Sequence, residues 1–118
     1  MKKVVICLLI LVLTISCTDS SPDDLVDEMS LPATVTYDVD IQPIMNSQCV
    51  NCHNSNFSSG NLNLENYTLV RLSAENGNLI DRITRSVGDP LLMPQNGQLP
   101  QASINLIIQW ETDGFPEN

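Results

Sequence analysis

Five consecutive residues constrain this chain more than any others: Cys49, Val50, Asn51, Cys52 and His53. Two thiols stand three residues apart, and an imidazole follows the second directly. On a helical turn, positions i, i+3 and i+4 share a face, so Cys49, Cys52 and His53 project to one side. The chain has four cysteines in all, the others being Cys7 and Cys17 near the start. Neither early cysteine makes a disulfide framework with the pair, and a bond between Cys49 and Cys52 themselves would close a small, strained loop. His53 is the only histidine.

Two sulfurs and an imidazole on one turn suit covalent attachment of a haem, with two thioethers to its vinyl edge and His53 turned under the ring toward iron. C-x-x-C-H is the attachment signal for c-type haem. A redox dithiol is the rival reading of the pair, but that motif belongs with alternating strands and helices, which this sequence lacks. Zinc would find only three cramped ligands and no evident fourth.

The chain begins with Met1-Lys2-Lys3 and an apolar run from Val4 to Ile15. A basic start and a short apolar core mark a secretory signal. A membrane-spanning helix needs about 20 apolar residues, more than this run supplies. Leu13-Thr14-Ile15-Ser16-Cys17 resembles a bacterial lipoprotein signal, although Thr14 stands where leucine is usual. The resemblance implies removal of residues 1–16, lipidation of Cys17 and export to the side of the membrane where c-type haem is attached. The expected location is the cell envelope, on the periplasmic face or the cell surface.

Residues 17–36 are expected to form an acidic, flexible linker. The run Thr18 to Asp24 is small and polar, with too little apolar surface to offset the entropy of ordering it. With Lys2 and Lys3 removed, only Arg71, Arg82 and Arg85 oppose 14 acidic residues, none of which precedes Cys17. Nucleic acid requires a basic footprint and is excluded as a partner. An acidic surface steers basic partners, so a redox partner protein is expected and a basic surface on it is one reading; the other is that the acidity serves only to keep the protein soluble.

Residues 37–118 are expected to form one small all-α domain. Asp38 or Asp40 can cap a first helix carrying Ile41, Ile44 and Met45 at helical spacing. With Asp40 as cap, Pro43 is its third residue, where no N–H is needed. Asn54 to Gly60 read as turns, and Leu62 and Leu64 as an extended piece. Tyr67 to Leu72 read as a short helix with Leu69, Val70 and Leu72 inward, broken at Gly77. Leu79, Ile80, Ile83 and Val87 fit a short helix or a bent strand, and a loop follows from Asp89 to Pro100. The final helix lies between Pro100 and Gly114. There Ile104, Leu106, Ile107, Ile108 and Trp110 form a broad arc, and Asn105, Gln109 and Thr112 face away from it.

Asp40-Ile41-Gln42-Pro43-Ile44, the Cys49–His53 motif, Met93-Pro94 and Ile107-Ile108-Gln109-Trp110 together resemble a class I type cytochrome c domain of small bacterial lipoproteins. The resemblance spans Tyr37 to Gly114. It implies an all-α, cytochrome c-like domain wrapped around one covalent haem c. It also implies that Cys49 and Cys52 hold the haem, that His53 is the proximal iron ligand and that Met93 is the distal one. The first and last helices would cross, pairing Met45 with Trp110 in a sulfur–aromatic contact. Trp110 and Leu99 are expected to line the haem pocket. The sequence departs from the pattern in two places. No proline follows His53 closely to accept its ring N–H, which leaves that acceptor unnamed, and bulky Ile41 stands where a small residue is usual.

Elimination points to Met93 as well. Met1 is removed, Met29 lies in the linker, and Met45 precedes the motif on its own helix. The alternative for Met93 is a core filler. His/Met ligation fills both axial positions and raises the reduction potential, which makes one-electron transfer the expected function and a substrate-converting enzyme the lesser one. The rivals are an open-site haem protein acting on peroxide or sensing a gas, and a structural lipoprotein domain with haem as a folding staple. Any of the three arginines can pair with the haem propionates. A domain of this size has little core of its own, so it is expected to fold poorly without its haem.

Overall fold

The computed structural model describes residues 31–118. The expected signal segment 1–16, the expected lipidation site Cys17, Met29 and most of the expected linker 17–36 lie outside the described residues. Among the described residues the regular structure is helical, and the only β pairing is a single antiparallel bridge between His53 and Ser58. No helix among them is long and apolar enough to cross a membrane.

The first helical segment opens differently from expectation. Thr36, in extended backbone, precedes one π-helical turn over Tyr37–Ile41, which runs directly into α1, Gln42–Gln48. The Thr36 carbonyl accepts the N–H of both Asp40 (3.0 Å) and Ile41 (3.3 Å). Asp40 Oδ2 in turn accepts the Thr36 N–H at 2.8 Å. Asp40 therefore caps from inside the turn, as the far partner in a capping box does, and is not the N-cap itself. Pro43 falls in the first turn of α1, where its missing N–H costs nothing.

Helix α2, Tyr67–Glu75, is capped by Asn66, whose side chain accepts the Leu69 N–H at 3.1 Å. It ends at Glu75 with Asn76 as its C-cap, and Gly77 follows where a Cβ would stand 2.6 Å from the Ser73 carbonyl oxygen, so a residue without a side chain is needed there. Helix α3, Leu79–Thr84, settles the choice between helix and strand for that segment. Helix α4, Gln101–Thr112, starts directly after Pro100. Its end is a Schellman motif. The Phe115 N–H reaches back to the Trp110 carbonyl at 2.9 Å and the Gly114 N–H to that of Glu111 at 3.0 Å, with Gly114 at φ +83°. The hydrophobic contact that accompanies this motif is present, with the Phe115 and Trp110 rings edge to face and 4.9 Å between centroids.

The core gathers Tyr37, Ile41, Met45, Leu64, Val70, Leu79, Ile83, Leu99, Ile104, Ile107, Trp110 and Phe115 with several smaller side chains. It also takes in Val35, which is fully buried and whose N–H donates to Asp113 Oδ2 at 2.9 Å. Packing thus begins inside the stretch read as linker. The π turn lies against α4. The C-terminal tail returns across it, with the Pro116 carbonyl accepting both the Tyr37 N–H and the Trp110 Nε1–H at 2.9 Å. Trp110 meets Tyr37, Tyr67 and Phe115. Met45 and Trp110 lie in this same core. Leu72, expected inward, faces out, and Val87 and Ile108 of the apolar patterns are exposed as well. Short α2 buries Val70 and Ala74 on one stripe, and Leu72 lies off it. Val87 lies beyond the end of α3.

Candidate cofactor site at Cys49, Cys52 and His53

The motif continues α1 in turns. The Met45 carbonyl accepts from the Cys49 and Val50 N–H groups (2.9 and 3.0 Å), and the Cys49 carbonyl from those of Cys52 and His53 (3.1 and 3.0 Å). The i, i+3, i+4 relation drawn from the spacing is thereby realised in the backbone. The two thiols differ in setting. Cys49 is half-buried against the core and Cys52 is exposed. Burial pushes the Cys49 thiol up to about 11, so it stays protonated at neutral pH. Redox dithiols and metal thiolates need the opposite shift. Among the described residues no three His, Cys, Asp or Glu side chains converge as a cage for a metal ion.

His53 is half-buried, and its Nδ1 lies 3.0 Å from the Ser59 carbonyl oxygen. A carbonyl can only accept, so the neutral ring carries its proton on Nδ1 and its lone pair on Nε2. The acceptor that the sequence left unnamed is a backbone carbonyl six residues on. Such a bond orients an imidazole for a metal and raises its basicity.

The loop after the motif is built to hold that carbonyl in place. The Ser59 N–H donates to the Cys52 carbonyl (3.0 Å) and the Leu64 N–H to that of His53 (2.9 Å). Ser59 is followed by Gly60 and Asn61 at φ +65° and +57°, a left-handed pair that only Gly and Asn adopt readily. Asn54 organises the other side. Its Nδ2 donates to the Val50 carbonyl at 2.7 Å, and its Oδ1 accepts from the Asn56 and Phe57 N–H groups at 2.9 and 2.7 Å. The signal for it was available, since an Asn directly after the motif in a Ser/Asn-rich run is the mark of an Asx turn.

Glu65 latches the loop. Its carboxylate accepts from the Ser55 N–H and hydroxyl and from Asn63 Nδ2. These bonds, chiefly that from Asn63, hold its pKa below the usual carboxylate range. A depressed folded pKa gives stability that is present above the unfolded value, about 4.3 for Glu, and lost as pH falls through the folded one. The stability gap between wild type and Glu65→Gln is therefore expected to be full well above about pH 4.3 and to close as pH falls below it. A gap of constant size down to the acid limit contradicts the latch.

The remaining candidates sit on other elements. Met93 is half-buried on the loop between α3 and α4, and its N–H donates to the Arg82 carbonyl at 3.0 Å. Leu99, at the end of that loop, and Trp110 are both buried in the core, and the Trp110 side chain is wholly covered by protein. The apolar side chains left partly covered next to the core include Ile44, Cys49, Val50 and Leu62, from the motif and its flanks. The atoms that could hold a cofactor are the two Sγ atoms and His53 Nε2 on the motif, and Met93 Sδ on the later loop. Comparison with known proteins returns no matching family model, no similar curated protein and no similar solved structure.

Proposed function

We propose that the protein is a one-electron carrier bearing a single covalent c-type haem, tethered to the cell envelope by a lipid on Cys17. The observation that carries this is the turn ending in His53, with Nδ1 bonded to the Ser59 carbonyl and Nε2 left with its lone pair. Cys49 and Cys52 would hold the ring, His53 would ligate iron from one side, and Met93 would ligate it from the other. Once bound, the haem supplies a one-electron couple at iron, whose potential follows its axial ligands and its burial.

The chain's own residues do the positioning. The Ser59 carbonyl fixes the tautomer and orientation of His53. Asn54 and the Cys52–Ser59 backbone bond keep the motif's turn wound. Half-buried Ile44, Val50 and Leu62, on the motif and its flanks, offer partly covered apolar surface of the kind a porphyrin face needs. Burial of apolar surface is the main stabilising term in folding, so a ring seated there also adds to a small core. Asp38, Glu75, Asp81, Glu111 and Glu117 are exposed, which favours approach of a basic redox partner and disfavours an anionic one. Association is then expected to weaken with salt.

Met93→Ala tests the electron-carrier assignment. In the wild-type ferric protein a weak sulfur-to-iron band in the far red is expected, and the variant should lose it together with a fall in reduction potential. The variant should also bind cyanide quickly where wild type does not. Rapid cyanide or peroxide binding by wild type, with no far-red band, would replace electron transfer with an open-site haem function.

A further inference from the structure

Each of the three arginines could serve a haem carboxylate, and the packing separates them. Arg71 is engaged on the protein: its Nε lies 3.4 Å from Glu75 Oε2, its Nη1 donates to the Tyr67 hydroxyl at 3.3 Å, and its guanidinium lies over the Phe115 ring at 5.8 Å. Arg85 is engaged twice, with Asp81 and with Asp89, each at 3.0 Å. Arg82 is different. Its Nη1 is enclosed and has no hydrogen-bond partner.

A guanidinium stays charged at any pH a protein survives. An enclosed N–H on a full positive charge, without an acceptor, costs more than a neutral donor left in the same state. The nearby carboxylates are already used, Asp81 by Arg85 and Asp89 by Arg85 and the Leu91 N–H. Arg82 also stands at the root of the Met93 loop, since its carbonyl accepts the Met93 N–H at 3.0 Å. We infer that Arg82 is the residue that receives a haem propionate, in a charge-assisted bond made by the guanidinium group that the protein leaves unpaired. The inference rests on the haem proposal above and selects one arginine of three.

The consequence is electrostatic. A positive charge held beside the ring disfavours the ferric state, so its removal lowers the reduction potential. In holoprotein matured with its haem, Arg82→Gln is expected to shift the one-electron equilibrium toward the ferric form about tenfold, a fall of about 59 mV. Arg82→Lys keeps the charge and should restore most of the potential, and Arg71→Gln should leave it nearly unchanged. Where Arg82→Gln does not mature, the resonance Raman spectrum of Arg82→Lys carries the test. Its propionate bending band should move from the wild-type position, because an ammonium replaces the two-point guanidinium fork.

An Arg82→Gln protein with wild-type potential overturns the inference and assigns Nη1 to an enclosed water alone. An equal fall in Arg71→Gln, or an unmoved Raman band in Arg82→Lys, also overturns it. Protein that never takes up covalent haem refutes the underlying proposal instead, so the two failures are distinguishable.

Discussion

Trp110→Ala is expected to remove about 3–5 kcal/mol of stability, the range for truncating a buried aromatic side chain. Against a native domain's total of about 5–15 kcal/mol, that is a large share. The melting temperature should fall on the order of 20 °C, since each kcal/mol is worth roughly 4–8 °C in a domain of this size. The indole is wholly buried and meets Tyr37, Tyr67 and Phe115. Its Nε1–H donates to the same Pro116 carbonyl that accepts the Tyr37 N–H, so one side chain ties the end of α4 to the opening π turn. Trp110→Phe keeps an aromatic ring and forfeits the hydrogen bond, at a cost of about 1–3 kcal/mol for the acceptor left behind. Thermal unfolding of both variants checks this. A loss below about 1 kcal/mol for Trp110→Ala would mean that the termini are held by something else.

The second large effect lies at the proposed haem-attachment motif. Cys49→Ala/Cys52→Ala protein is expected to emerge without covalent haem and to unfold with lower cooperativity and a lower midpoint than wild type. The buried aromatic cluster joins the terminal segments, whereas the motif side is finished by half-covered Ile44, Val50 and Leu62. Domains of about 80 residues bury too small a fraction of their surface to be secure without a staple. A double variant that melts as sharply and as high as wild type contradicts that role for the haem, and leaves Trp110 and its neighbours sufficient alone.

What could be read in advance follows the range of the forces involved. Helix α4 was legible at both ends because Pro100 and Gly114 act within a turn of themselves. The turn geometry of Cys49, Cys52 and His53 was legible because three and four residues are one helical step. The true start of the first segment was not, since Thr36 follows Val35, whose N–H is taken by Asp113 from the far end of the chain, and no local pattern announces that. Leu72 misled because periodicity names an apolar stripe without saying how wide a short helix's buried face is. Ser59 was invisible for a different reason: it acts through its carbonyl, which every residue has. Gly60-Asn61, a pair suited to left-handed backbone, was the one local hint of a tight loop there. Arg82 could be told from Arg71 and Arg85 only by seeing which guanidinium the fold leaves unpaired.

The most direct test is the mass and colour of wild-type protein matured in a host able to assemble c-type cytochromes, set beside Cys49→Ala/Cys52→Ala protein made in the same way. The account predicts a coloured wild type, heavier than its polypeptide by one haem that survives denaturation, and a double variant at the bare polypeptide mass. A colourless wild type at polypeptide mass would contradict it.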